Sequence, residues 1–207
     1  YVFLLIILFP YLNFKRGQIR ERLVTALFLG PLVQGFMFCG LAISNASVIT
    51  IAGNLGSPFS VILSVLVLKE KIVWWRAIGI MCAFGGVILL SFDPEVFKFI
   101  SGLSLAVIGA FLGAVGLLCQ RGIQNIELKE VLAWICLVTS PVMLGLSFLF
   151  EHGQWNAITT ESLAEWGGCL YVAFLSVLIA DLGYGYLIRK NDISRVAPYN
   201  VLNPIFG

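Results

Sequence analysis

Six stretches of this chain, residues 23–43, 48–68, 74–92, 102–119, 131–150 and 168–188, are almost wholly apolar and carry at most one charged residue each. A helix of about 20 residues rises about 30 Å, which is the thickness of a bilayer's hydrocarbon core. Composition agrees. Of 207 residues, 59% are hydrophobic and 12% charged, whereas a globular domain carries about 25% charged residues. These features predict an all-α polytopic membrane protein. The net charge of +2 does not imply nucleic acid as a partner.

Two further apolar stretches lie at the ends. Residues 1–12 would rise only about 18 Å as a helix, and a last span begins near Ser194. The expectation is a chain truncated at both ends, with about six full spans and partial first and last helices.

Charge orders these spans. Lys15, Arg16, Arg20, Arg22, Lys69, Lys71, Arg76, Arg121, Lys129, Arg189, Lys190 and Arg195 fall in alternate loops, leaving only Lys98 of the 13 basic residues on the other side. By the positive-inside rule the basic side is cytoplasmic. Trp74 and Trp75 sit at that boundary and Trp166 at the opposite one, depths that indoles favour. "SLAE" (162–165) reads as a capping box that starts a helix. Asn45-Ala46-Ser47 matches a glycosylation sequon, but a tight turn at the membrane surface is a poor acceptor.

Residues 28–58 lie on 174–204 without a gap. Phe28/Phe174, Leu29/Leu175, Leu32/Leu178, Leu41/Leu187, Asn45/Asn191, Asn54/Asn200 and Pro58/Pro204 coincide. The Asn and Pro matches carry most weight, because both residues are rare in apolar spans. The first copy starts at the basic side and the second at the acidic side, so the copies are inverted. Inverted repeats mark secondary transporters, whose substrate site lies near the midplane. "GNLGSP" (53–58) and "YNVLNP" (199–204) are then the same feature twice. Pro58 and Pro204 would kink their helices, and the freed carbonyl with its neighbouring Asn would need partners. Asn54, Asn200 and Asn203 are candidate substrate contacts; interhelical packing is the alternative use.

Other polar groups at depth are few. Asp181 is the only acidic residue well inside a span. An isolated carboxylate costs several kcal/mol at the bilayer centre, so it should face a cavity, find a partner or be protonated. It could bind a substrate amine or a coupling proton, or serve as a structural hydrogen-bonding group against Tyr184, Tyr186 or Gln34. Gln34 offers amide contacts suited to a carboxylate or an amine. Tyr184 lies about one turn from Asp181, while Tyr186 is expected to pack. Glu70, at the basic boundary, is expected to pair locally or cap the next helix. The sole histidine, His152, lies in an outer loop. Cys39, Cys82, Cys119, Cys136 and Cys169 form no CxxC pair and read as small apolar residues. No cofactor or metal motif and no catalytic constellation appears, so an enzyme is not expected.

The order of motifs resembles a known family. "SVITIAGNLGSPFSVILSVLVLKEKIVWWRAIGIMCAFGGVILL" is similar to an EamA domain of the drug/metabolite transporter superfamily. It has a short hairpin, a helix with a mid-span Pro, a closing acidic residue (Glu70) and a Gly-rich helix (Gly79, Gly85, Gly86). "YVAFLSVLIADLGYGYLIRKNDISRVAPYNVLNPIFG" resembles the corresponding part of bacterial amino-acid-metabolite exporters. The resemblance implies ten helices in two inverted five-helix repeats, here residues 1–92 and 101–207, and a bacterial inner membrane location. It further implies export of small polar metabolites such as amino acids or their derivatives. Sugar-phosphate, nucleotide-sugar or drug carriage within the superfamily, and a non-transporting membrane scaffold, are the alternatives. Expected partners are a small-molecule substrate, the bilayer and, for coupling, protons; homodimer formation is left open. Asp181 departs from the family pattern, where an uncharged residue is usual. Gly113, where an aromatic is common, would widen a cavity or allow GxxxG packing with Gly109.

Overall fold

A computed structural model of the chain describes residues 1–12, 19–70, 74–91, 100–123, 126–150, 162–171 and 179–196. Every regular element among them is helical. α1 (Val2–Leu8) runs into a 3-10 turn at Phe9–Tyr11. α2 (Ile19–Leu27), a π turn (Phe28–Leu32) and α3 (Val33–Ile43) make one continuous rod. α4 (Ala46–Gly53) and α5 (Gly56–Leu68) make the next. α6 (Trp74–Ser91), α7 (Ile100–Gly122), α8 (Leu128–Phe150), α9 (Leu163–Tyr171), α10 (Asp181–Lys190) and α11 (Ile193–Val196) follow.

Four of these rods, Ile19–Ile43, Ala46–Leu68, Ile100–Gly122 and Leu128–Phe150, are long and apolar enough to cross a membrane. At about 1.5 Å per residue they reach 34–38 Å or so, slightly more than the hydrocarbon core. The spans expected from sequence over 23–43, 48–68, 102–119 and 131–150 fall inside these helices. The 18-residue α6 covers the expected span over 74–92 except Phe92, which lies outside the described residues. Of the span over 168–188, residues 172–178 lie outside the described residues.

α7 is the hub. Its neighbours reach it through residues too small to keep helices apart. A Cβ on Gly40 would lie 3.0 Å from the Gly102 carbonyl oxygen, and one on Gly116 would lie 2.7 Å from Leu29 Cδ2. A Cβ on Gly113 would meet Val33 Cγ2 at 3.4 Å, and one on Gly109 would meet Phe36 Cβ at 3.3 Å. Of the two uses open to Gly113, the structure thus takes packing against α3. α5 turns a buried serine stripe, Ser57, Ser60 and Ser64, into the bundle. Ser60 and Ser64 donate their hydroxyls back to the Ser57 and Val61 carbonyls at 2.7 and 2.8 Å, so the stripe buries no orphan hydroxyl there. Phe59 meets Phe84 and Phe111 edge-on, with ring centroids 5.2 and 5.5 Å apart, and so joins α5 to α6 and α7.

The polar stretch "GNLGSP" is a break between two helices. Pro58 has no N–H for the Asn54 carbonyl four residues back. The Ser57 N–H donates to that carbonyl instead, at 3.2 Å, and Phe59 resumes the regular pattern to Leu55 at 3.0 Å. The ladder is interrupted at Asn54–Leu55, just before Pro58, and the Asn54 carbonyl finds its partner within the same turn.

The basic boundary also holds a buried ion pair. Arg22 Nη2 lies 3.1 Å from Glu130 Oε1, the two side chains being 3% and 11% exposed. Read from sequence, Arg22 is a loop residue that signals topology. It is instead a helical residue packed between α2 and α8. Trp74 and Trp75 remain exposed, with ring centroids 3.6 Å apart, as expected for indoles at a membrane interface.

Candidate functional site

A cavity of about 190 Å³ opens among α1, the π turn, α3, α7, α8 and α10. Gln34, Asp181 and Tyr184, three residues singled out by their polarity at depth, all line it. Gln34 is delivered by α3, of which it is the second residue after the π turn. That turn arises where Pro31 interrupts the hydrogen-bond ladder and the backbone widens around it. Asp181 and Tyr184 lie on the first turn of α10, three residues apart and therefore on one face.

The cavity also recruits two polar residues that the sequence did not single out. Tyr1 accepts a hydrogen bond from Gln34 Nε2 at 2.8 Å. Gln120, near the end of α7, lines the opposite wall. A Cβ on Gly185 would lie 3.0 Å from Gln120 Nε2, so the missing side chain at 185 is what lets α10 come this close to α7. Nothing local marks Tyr1 or Gln120. Tyr1 belongs to a stretch that reads as a partial span, and Gln120 borders charged Arg121, so it resembles an ordinary helix end.

The remaining walls are Leu29, Leu117, Leu128, Leu132, Ile135 and Leu182. The lining therefore combines one carboxylate, two amides and two phenols with an apolar floor, and no Lys or Arg side chain among the described residues faces it. Such a lining offers acceptors and one negative charge to a ligand ammonium, and amide or phenol donors to a ligand carboxylate. Gln34, one of three partners considered for Asp181, has its Nε2 bonded to the Tyr1 hydroxyl.

Other singled-out residues lie elsewhere. Asn54 caps the end of α4 at the helix break and does not line this cavity. Asn200, Asn203 and Pro204 lie outside the described residues. Tyr186, expected to pack, is 55% exposed; Lys190 Nζ sits 5.7 Å from its ring centroid. Among the described residues, the recorded partners of the Glu70 carboxylate are distant in sequence. Its carboxylate reaches across 123 residues of sequence to the start of α11.

The architecture defines a multi-pass helical membrane protein with a polar cavity among its spans. A model of the EamA-like transporter family matches residues 1–92 and again residues 100–207. The chain belongs to that family, and so to a class of membrane transporters rather than enzymes. It is similar to an uncharacterized transporter of Synechocystis sp., with 27% identity over 84% of this chain and 54% of that protein. It is also similar to an uncharacterized transporter of Archaeoglobus fulgidus, at 23% identity over 82% of this chain and 59% of that one. A protein of Salmonella typhimurium named a probable amino-acid metabolite efflux pump shares 24% identity over 83% of this chain and 60% of its own length. The chain spans little more than half the length of these relatives. No solved structure matches it.

Proposed function

We propose that this chain is the substrate-handling part of a secondary transporter. It exports small polar metabolites, amino acids or their derivatives, across the bacterial inner membrane by alternating access. The observation that carries this is the shared cavity of Gln34, Tyr1, Asp181, Tyr184 and Gln120. It draws polar groups from both ends of the chain into one site among membrane-length helices. Asp181 holds the substrate amine or exchanges a coupling proton, and the amides of Gln34 and Gln120 address a carboxylate. Support for the substrate class comes from the efflux pump relative and from the cavity's chemistry. Among the described residues the lining presents a carboxylate and no Lys or Arg side chain, a chemistry that favours an amine over a phosphate.

The organisation proposed is two inverted repeats. Support comes from Asn45 and Asn191, which the repeat superimposes. Each is an extended residue between two helices, with ψ of 143° and 166°. The test of function is counterflow of a labelled amino-acid panel by the intact protein in proteoliposomes, with and without a pH gradient. Saturable counterflow of a panel member is expected. Counterflow of phosphorylated sugars but of no amino acid would overturn the substrate class.

A further inference from the structure

The Glu70 carboxylate, 6% exposed, is the most heavily engaged acid among the described residues. Lys69, just before it, takes φ 54° and ψ 33°, a left-handed helix end. The Glu70 N–H then returns to the Ser64 carbonyl at 3.4 Å. This Schellman-type closure turns the chain back and aims the Glu70 side chain inward.

There it does two jobs. Oε1 accepts the Ile193 N–H at 3.3 Å and Oε2 accepts the Ser194 N–H at 3.1 Å. These are first-turn donors of α11 that have no partner inside that helix. The carboxylate also pairs with Arg121 Nη1. Arg121 in turn donates Nη1 to the Asn191 carbonyl at 3.0 Å, and its Nη2 lies 3.4 Å from Asp192 Oδ1. One carboxylate and one guanidinium thus tie the end of α5 and the end of α7 to the α10–α11 hairpin.

The position gives the network its meaning. Arg121 follows Gln120, which lines the cavity. Asn191 ends α10, whose opposite end carries Asp181 and Tyr184. The network therefore closes the bundle between the cavity and the basic face. Its rim is wet: Arg121 and Asp192 side chains are 19% and 45% exposed. α5, 13 residues and so about 20 Å long, joins α4 through the break at Asn54–Leu55, which places a hinge at the far end of the same rod.

We propose that Glu70 and Arg121 form a latch that seals the cavity from the cytoplasmic face, and that each transport cycle releases it by pivoting α5 about the Asn54–Leu55 break. The latch rests on the alternating-access reading. A gate must favour one state over the other through contacts made in only one of them. A buried carboxylate with three partners fits that requirement, because separation of α5 from α7 and α11 breaks all three together while water takes over their hydrogen bonds.

The test is sided thiol labelling of the intact protein with Leu117→Cys as the only cysteine, using a membrane-impermeant maleimide on inside-out and right-side-out vesicles. Glu70→Gln and Arg121→Gln should each raise cytoplasmic labelling about tenfold or more and lower labelling from the opposite face. The double variant should exceed neither single by more than about twofold, since both act through one contact. Asp192→Asn, which touches only the wet rim, should give a smaller rise of the same sign. Unchanged cytoplasmic labelling in Glu70→Gln would overturn the latch. So would a rise from both faces alike, which would mean that the network holds the fold rather than a gate. Because labelling needs no substrate, a failed counterflow assay leaves this result readable and would count against the substrate reading alone.

Discussion

Gln34 donates to the Tyr1 hydroxyl at 2.8 Å, which fixes one wall of the cavity by a bond between the first residue of the chain and the middle of its first long rod. A hydrogen bond of this kind contributes about 0.5–1.5 kcal/mol. Gln34→Leu should therefore weaken substrate binding roughly threefold to tenfold, read as a raised KM in counterflow. Tyr1→Phe should produce a smaller shift, and the two together should be less than additive. Equal KM values in Gln34→Leu and the parent would remove Gln34 from the site.

Asp181 supplies the only carboxylate in the cavity lining among the described residues. Asp181→Asn keeps the shape and removes both the charge and the ability to exchange a proton. Transport should fall at least about tenfold, and any stimulation by an imposed pH gradient should vanish. Among the described residues, Tyr1 and Tyr184 are the other titratable groups facing this space. Retention of the gradient response in Asp181→Asn would direct attention to them.

A Cβ at Gly30 would come within 2.0 Å of Thr139 Oγ1. Gly30→Ala would normally favour a helix by about 1 kcal/mol, but here the contact reverses the sign. A net loss of about 1–3 kcal/mol is expected, the range for overpacking a tight interface. Thr139→Ala in the same chain should restore most of it. Thermal unfolding of the four variants in detergent checks this, and a stabilised Gly30→Ala would show that the α8 contact yields easily.

The Arg22–Glu130 pair is buried at the basic boundary. Glu130→Gln removes the charge paired with the buried Arg22 guanidinium, and removing one partner of such a pair costs about 3–5 kcal/mol. Replacing both residues by Met and Leu should cost much less. The comparison of midpoints for the single and double variants separates the worth of the pair from the penalty of an unpaired charge.

Lys69 holds a left-handed conformation at φ 54°. An L-residue there is strained by about 1–2 kcal/mol, and glycine is not. Lys69→Gly should therefore stabilise the end of α5 or leave it unchanged. Lys69→Val should destabilise it and, by misdirecting Glu70, should reproduce part of the labelling change expected of Glu70→Gln.

The spans were legible because length and apolarity alone decide whether a segment crosses a bilayer. Both properties are local, and an uninterrupted run needs no knowledge of neighbours. That the ladder is disturbed near Pro58 was legible for the same reason, since proline removes its hydrogen bond wherever the chain goes; that the turn falls at Asn54–Leu55 was not. Gln34, Asp181 and Tyr184 could be named because a strongly polar side chain at depth is costly unless it faces something polar. What those residues share could not be read from the chain. Tyr1 and Gln120 join the cavity only because α1, α7 and α10 converge there, and each is unremarkable among its sequence neighbours. Glu70 shows the same limit most sharply. Its local setting, between two lysines at a helix end, suggests a nearby partner. Its real partners lie 51 residues away at Arg121 and at the start of α11, because the left-handed turn at Lys69 points it across the bundle. Sequence by itself determined which segments enter the membrane and near which proline the ladder is disturbed. The tertiary structure decided which polar groups meet, since hydrogen bonds and ion pairs act over about 3 Å and that proximity is set by helix packing, not by position along the chain.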